Sequence, residues 1–317
     1  SLVIELFESS AQIKEHKINR DGIHVLKLMK DMNQHREVFD TLSAKCSEWI
    51  DASAWLEKQS LEILTEIDQF EYAERLIMRS LVGDLENSRI SDKELQCIIQ
   101  KRRGGHWYSR YETEYQCLGY ASNYLDSSSS ASMELHSLES GFKAYAGGFY
   151  ELDLYYRKFC LHYSRLKENK AFEKISRKIE DHYSNSFIFK LGTSWSALMQ
   201  QQEKWHNALH NKQLKFWKNQ IVPYIQQSKK IFVIISDALR YEVAAELMSL
   251  IRKEDRFEAE LSAIAGTLPS ITSIGMAALL PHETISFDSK HNVLVDGLNS
   301  SGTENRMKIM NKYHPDR

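Results

Sequence analysis

The sequence predicts a mainly helical region followed by the first part of an α/β domain. Three observations predict it. All four prolines lie at Pro223 or later, so the preceding stretch lacks the residue that breaks helix interiors. Within that stretch, apolar residues recur at helical spacings. From Ile231 the pattern changes to a continuous β-branched and aromatic run, Ile231-Phe232-Val233-Ile234-Ile235, which reads as a strand buried on both faces of a parallel sheet. A helical domain is expected over 1–228, with an internal break near 127–132, and the beginning of the α/β domain over 229–317.

The helical elements carry local signals. Ser91-Asp92-Lys93-Glu94 is a capping box, in which Ser91 and Glu94 satisfy amides that the helix start leaves open. That helix runs through Leu95, Ile98 and Ile99, then stops where the basic turn Lys101-Arg102-Arg103 meets Gly104-Gly105. A second helix carries Tyr111, Tyr115, Leu118 and Leu125. A third sets Leu152, Tyr156, Phe159 and Tyr163 on one face. Ser127-Ser128-Ser129-Ser130 reads as a polar break between helical segments. No repeat of fixed period is present, which argues against a helical solenoid.

After the apolar run the chain turns at Ser236-Asp237-Ala238. A helix is expected next, with Val243, Leu247, Leu250 and Ile251 facing inward. A second strand is expected over Phe257–Ile264, completing a βαβ unit, and a short helix from Ser273 to Leu280, ending near Pro281.

Composition narrows the function classes. A net charge of −2 argues against a globally basic nucleic-acid binder. No apolar run approaches the ~20 residues that span a bilayer, so no membrane partner is expected. Cys46, Cys97, Cys117 and Cys160 form no CxxC pair, and the expectation is reduced thiols in a cytoplasmic protein. The opening Ser1-Leu2-Val3-Ile4-Glu5-Leu6-Phe7 has neither Met nor a signal-peptide pattern and is expected to be internal to a longer protein. There is no GxxxxGK[ST] phosphate loop and no GxSxG nucleophile elbow.

The candidates for chemistry are few. Asp237 stands immediately after the apolar run, and ligands gather at the carboxyl ends of parallel strands. A carboxylate there is either a metal ligand or a cap for the following helix. The segment Thr267-Leu268-Pro269-Ser270-Ile271-Thr272-Ser273 places hydroxyls at a helix start, where free amides favour negative charge. Such a hydroxyl is either a nucleophile or an N-cap. His206 and His210 have the four-residue spacing of zinc ligands but lack the HExxH glutamate, so a solvated helix face is expected. Lys101, Arg102 and Arg103 with Trp107 combine cations and an aromatic ring, as single-strand binders do. A basic helix end over a tyrosine-rich core explains the same residues.

Two stretches resemble the PglZ family. Ile231-Phe232-Val233-Ile234-Ile235-Ser236-Asp237-Ala238-Leu239-Arg240-Tyr241-Glu242 is similar to the family's opening motif. Thr267-Leu268-Pro269-Ser270-Ile271-Thr272-Ser273-Ile274-Gly275-Met276-Ala277-Ala278-Leu279-Leu280-Pro281 is similar to its second. Val295-Asp296-Gly297 and Gly302-Thr303-Glu304-Asn305-Arg306 fit the PglZ proteins of BREX phage-defence systems. The segment around Arg102-Arg103-Gly104-Gly105-His106-Trp107-Tyr108 is similar to the region preceding the domain.

The resemblance implies an alkaline-phosphatase-like α/β domain and a zinc-dependent, or other divalent-metal-dependent, phosphatase or phosphodiesterase. It implies Asp237 as a metal ligand and Thr272 as the nucleophile and a further metal contact, with Thr267 as second choice. It also implies other BREX proteins as partners. The alternative is a helical scaffold docking on defence proteins or nucleic acid. After Leu280 only His282, His291 and His314 appear, each isolated, so the metal site is expected to be incomplete in this chain. The chain alone is therefore expected to lack tightly bound zinc and activity, and to dimerise or be poorly ordered after about Pro281.

Overall fold

The computed structural model describes residues 36–130, 133–202 and 212–313. His206, His210 and His314 lie outside the described residues, as does the opening segment. The described residues fall into two compact units. One takes those of Ser1–Ser132 together with Glu151–Phe189, the other those of Met133–Tyr150 together with Lys190–Arg317.

The first unit is helical throughout: α1 Arg36–Trp49, α2 Ala52–Leu56, α3 Leu61–Glu66, α4 Glu71–Glu86, α5 Asp92–Arg102 and α6 Tyr108–Ser130. Helix α8, Tyr150–Tyr163, and helix α9, Glu173–Asp181, complete it. The capping box is realised, with the Glu94 amide donating to Ser91 Oγ and the Ser91 amide donating to Glu94 Oε2. Helix α5 ends at Arg102 with Arg103 as its cap, as the basic turn before the glycine pair predicts. Ile77, Leu81, Leu95, Tyr115, Leu118, Ile175 and Ile179 are fully or almost fully buried and form its core. Leu152 and Phe159 are buried as their spacing predicts.

The serine run departs from expectation. Helix α6 continues through Ser130, because Ser128 and Ser129 donate their hydroxyls to the carbonyls of Leu125 and Asp126. Such i−3 bonds let serines lie within a helix instead of ending it.

A polar network threads the core of this unit. Arg102 is 3% exposed and Glu74 fully buried. The Arg102 guanidinium donates to Glu74 Oε1 from Nε at 2.9 Å and to the Thr65 carbonyl at 3.0 Å. Tyr115 donates its hydroxyl to the same carboxylate. Burial, and then the Glu74 charge, push the Tyr115 hydroxyl above its ordinary pKa, so it stays a donor. Trp107 is 2% exposed and Lys101 pairs with Glu66. Arg102 and Trp107 are thus closed to the candidate nucleic-acid surface, since a stacking platform must be open to a base, and the favoured reading, a basic helix end over a tyrosine-rich core, describes them. Glu74 draws the guanidinium inward.

In the second unit, α7 Leu138–Ala144 and α10 Phe189–Gln200 precede a 3₁₀ turn, Gln213–Lys215, and α11 Val222–Gln226. Helix α12 follows at Tyr241–Arg252, then α13 at Thr272–Leu279, strands β1 Ile285–Phe287, β2 Val293–Val295 and β3 Leu298–Asn299, and α14 at Thr303–Tyr313. The strands form an antiparallel sheet in the order β1-β2-β3, with Ile285 opposite Val295 and Val295 opposite Leu298. Helices α13 and α14 close over it through Ile274, Ala277, Leu280, Val293, Val295 and Ile309.

The β2–β3 turn is Asp296-Gly297, with φ of 48° and 80°. Both values are positive, as a two-residue turn that matches strand twist requires. Asp296 also accepts from the Thr284 amide at 2.7 Å, the Glu283 amide at 3.1 Å and the Tyr313 hydroxyl. Partial desolvation raises its carboxyl, but the Tyr313, Thr284 and Glu283 hydrogen bonds outweigh that and hold it at about 2. A folded-state pKa below the unfolded ~3.9 means the unfolded chain binds more protons between them. This contribution is present above about pH 4 and lost as pH falls through about 2. Acid unfolding of the chain, followed by circular dichroism, is expected to show a component in that window that Asp296→Asn removes; an unchanged acid limb would contradict it.

Two sequence expectations are overturned here. Ile231–Ile235 forms no strand, and Phe232 and Ile234 stand 79% and 92% exposed. Phe257–Ile264 forms none either; only Ala265 makes an isolated parallel bridge, to Lys212. A run apolar on both faces becomes a strand only beside strands that pair its amides, and no described segment does so. For the same reason Leu247 and Leu250, expected to face inward, are about half exposed.

Candidate functional site

The two sequence motifs meet. Asp237 follows the apolar run at a turn whose next residue, Ala238, has φ 56°. Thr272 is the first residue of α13, which begins after Ile271 without a side-chain cap. Thr272 Oγ1 donates to Asp237 Oδ2 at 3.2 Å, joining residues 35 apart. Both side chains are exposed. An uncapped helix start presents free amides and the positive end of the dipole, a setting that stabilises an anion.

Thr267 is placed differently. Its Oγ1 is buried and has no hydrogen-bond partner. The residue lines a cavity of about 710 Å³ with Lys212, Lys215, Leu268, His282 and Phe287. His282 is held by its Nδ1, 2.7 Å from the Leu280 carbonyl. Asp237 therefore stands within hydrogen-bond reach of Thr272, whereas Thr267 lies on the cavity side of its loop.

Catalytic zinc takes three or more protein ligands. Asp237 and Thr272 supply one carboxylate and one hydroxyl, and no group of three or more His, Cys, Asp or Glu among the described residues could hold a metal ion. These residues do not make a metal centre by themselves. The four cysteines are free, and burial pushes the Cys117 thiol well above its ordinary pKa, which keeps it protonated. No helix among the described residues is long and apolar enough to cross a membrane.

Sequence reasoning missed Gln213, whose carboxamide bonds to both the Thr267 amide and the Gly275 carbonyl. Its partners are 54 and 62 residues away, and no local pattern signals them. It also missed the hairpin, although Asp296-Gly297 between apolar residues is a turn signal.

Comparison with known proteins bears on the same region. The family model described as "BREX system PglZ alkaline phosphatase-like domain" matches residues 216–316. The chain is 35% identical over 224 residues to the alkaline phosphatase-like protein PglZ of Bacillus cereus (strain H3081.97), covering 69% of this chain and 26% of that protein. It is 34% identical over 257 residues to the alkaline phosphatase-like protein BrxZ of Escherichia coli O9:H4 (strain HS), covering 76% of this chain and 30% of that protein. The chain thus spans between a quarter and a third of the length of these curated relatives. No solved structure matches it. Residues 216–316, which contain both Asp237 and Thr272, belong to the PglZ domain family.

Proposed function

We propose that the chain is part of a BREX-system component whose PglZ domain hydrolyses a phosphoester, with Thr272 as nucleophile and Asp237 as its partner and metal ligand. The observation that carries this reading is the 3.2 Å hydrogen bond from Thr272 Oγ1 to Asp237 Oδ2, because it joins the two family motifs at a helix start. In the proposed step a Thr272 Oγ1–phosphorus bond forms as the bond to the leaving oxygen breaks. The hydroxyl proton passes by way of Asp237 to the departing oxygen, which leaves as an alcohol. Attack of water on phosphorus then breaks the Thr272 Oγ1–phosphorus bond, releases the phosphoryl product and returns a proton to Oγ1. The open amides of α13 favour the charge gathered on phosphate oxygens.

A lone carboxylate is a weak base for a threonine hydroxyl. The reading therefore includes a divalent cation, zinc by preference, whose other donors come from elsewhere in the full-length protein. The matched share of its relatives, 26% and 30%, leaves room for them. Partners are other BREX proteins on the same reading.

Asp237→Ala in the full-length protein is expected to lower zinc content and phosphodiester turnover together, because a ligand is lost. Metal analysis beside a nitrophenyl phosphodiester assay checks this. Full zinc occupancy with full activity in that variant would remove Asp237 from the site.

A further inference from the structure

We propose that Gln213 is a positioning residue for the Thr267–Thr272 segment, so that the working unit begins upstream of the residues matched to the PglZ domain. The proposal deepens the reading of Thr272 as nucleophile and rests on it. Gln213 opens the 3₁₀ turn Gln213–Lys215. Its backbone N–H donates to the Ala265 carbonyl at 2.9 Å, beside the parallel bridge between Lys212 and Ala265. The side chain then works in two directions. Oε1 accepts from the Thr267 N–H at 3.1 Å, and Nε2 donates to the Gly275 carbonyl at 3.1 Å.

A carboxamide carries an acceptor and a neutral donor on one planar group at every pH near neutrality, and both partners here are backbone groups of fixed polarity. An amide N–H needs the oxygen and a carbonyl needs the nitrogen, so the orientation is determined. Asparagine would be one methylene short of spanning both. The carboxamide lies against the helix backbone: a Cβ added to Gly275 would stand 3.4 Å from Gln213 Nε2, at the near edge of ordinary van der Waals contact.

The two anchor points bracket the proposed nucleophile. Thr267 lies five residues before Thr272, and Gly275 three after it. Fixing both ends sets where the helix starts and where Oγ1 stands relative to Asp237. Displacement of a reacting group by about 1 Å costs on the order of 10²-fold in rate. The hydrogen bonds of Gln213 go to backbone groups of Ala265, Thr267 and Gly275, so its action runs through the backbone that carries Thr272.

The test measures hydrogen exchange of the Thr267 amide in the full chain, for wild type, Gln213→Leu and Gln213→Glu. Two lost hydrogen bonds are expected to speed Thr267 exchange about tenfold in the leucine variant, with the Val295 and Ile309 amides unchanged as a control for folding. In the glutamate variant a carboxylate still accepts from Thr267 but repels the Gly275 carbonyl. Once protonated, the carboxyl restores both bonds. Thr267 protection relative to wild type at the same pH is therefore expected to recover as pH falls toward ~4.3 in Gln213→Glu and not in Gln213→Leu.

A merely space-filling role would not produce that pH profile. In the full-length protein, kcat of Gln213→Leu is expected to fall 10- to 100-fold with KM little changed. Thr267 exchange equal to wild type in the leucine variant would overturn the proposal, as would unaltered kcat in a protein that Thr272→Ala inactivates. A wild-type protein with no phosphoester turnover would instead overturn the reading of Thr272, and exchange alone would then decide the role of Gln213.

Discussion

Thr272→Ala in the full-length protein is expected to reduce phosphoester turnover by on the order of 10³-fold or more, while leaving its folding intact. The side chain is exposed, and its hydrogen bond to Asp237 spans solvent-facing groups. Loss of an exposed helix-start hydroxyl costs no more than about 1 kcal/mol, and alanine is the better helix former. Thr272→Ser keeps a hydroxyl at the same point and is expected to keep measurable turnover. Thr267→Ala is expected to keep it too, since Thr267 lies on the cavity side of the loop. A kinetic comparison of the three variants separates the assignments. Full activity in Thr272→Ala with loss in Thr267→Ala would reverse them.

Arg102→Leu is expected to destabilise the helical unit by about 3–5 kcal/mol, because it strands a fully buried carboxylate. Glu74 has no exposed surface, and Arg102 supplies the positive charge against it. Tyr115 alone would remain as a donor to Glu74. A loss of that size is a large part of an ordinary domain's 5–15 kcal/mol. Urea unfolding of the chain checks it through the midpoint. The double variant Arg102→Leu with Glu74→Leu is expected to recover a large part of the loss, since the orphaned charge is gone. A double variant no more stable than Arg102→Leu would contradict the account.

Much of the helical region was legible because its signals are local. The Ser91–Glu94 box, the basic stop before Gly104 and the spacing of Leu152 and Phe159 each depend on neighbours within one or two turns, and each appears as expected. Helix α13 was legible for the same reason, within one residue at its start. What failed depended on distant partners. Ile231–Ile235 has the composition of a buried strand, but composition cannot supply the flanking strands that make one. The burial of Arg102 against Glu74, 28 residues away, likewise has no signal in the basic turn itself.

The candidate site divides along the same line. Asp237 and Thr272 were visible as motif residues, each with a bland capping role as the alternative. Their approach to 3.2 Å is a tertiary fact that no spacing contains. The carboxamide of Gln213 was invisible for the corresponding reason, since a glutamine between Lys212 and Leu214 has no local signature.

The most direct measurement is to locate phosphorus on the protein itself. The full-length protein is incubated with zinc and a nitrophenyl phosphoester, quenched in acid during turnover, digested and mapped by mass spectrometry. The account predicts a phosphoryl adduct on Thr272, absent from Thr272→Ala. Turnover with the adduct on Thr267 would contradict it, as would sustained turnover with no adduct on either threonine.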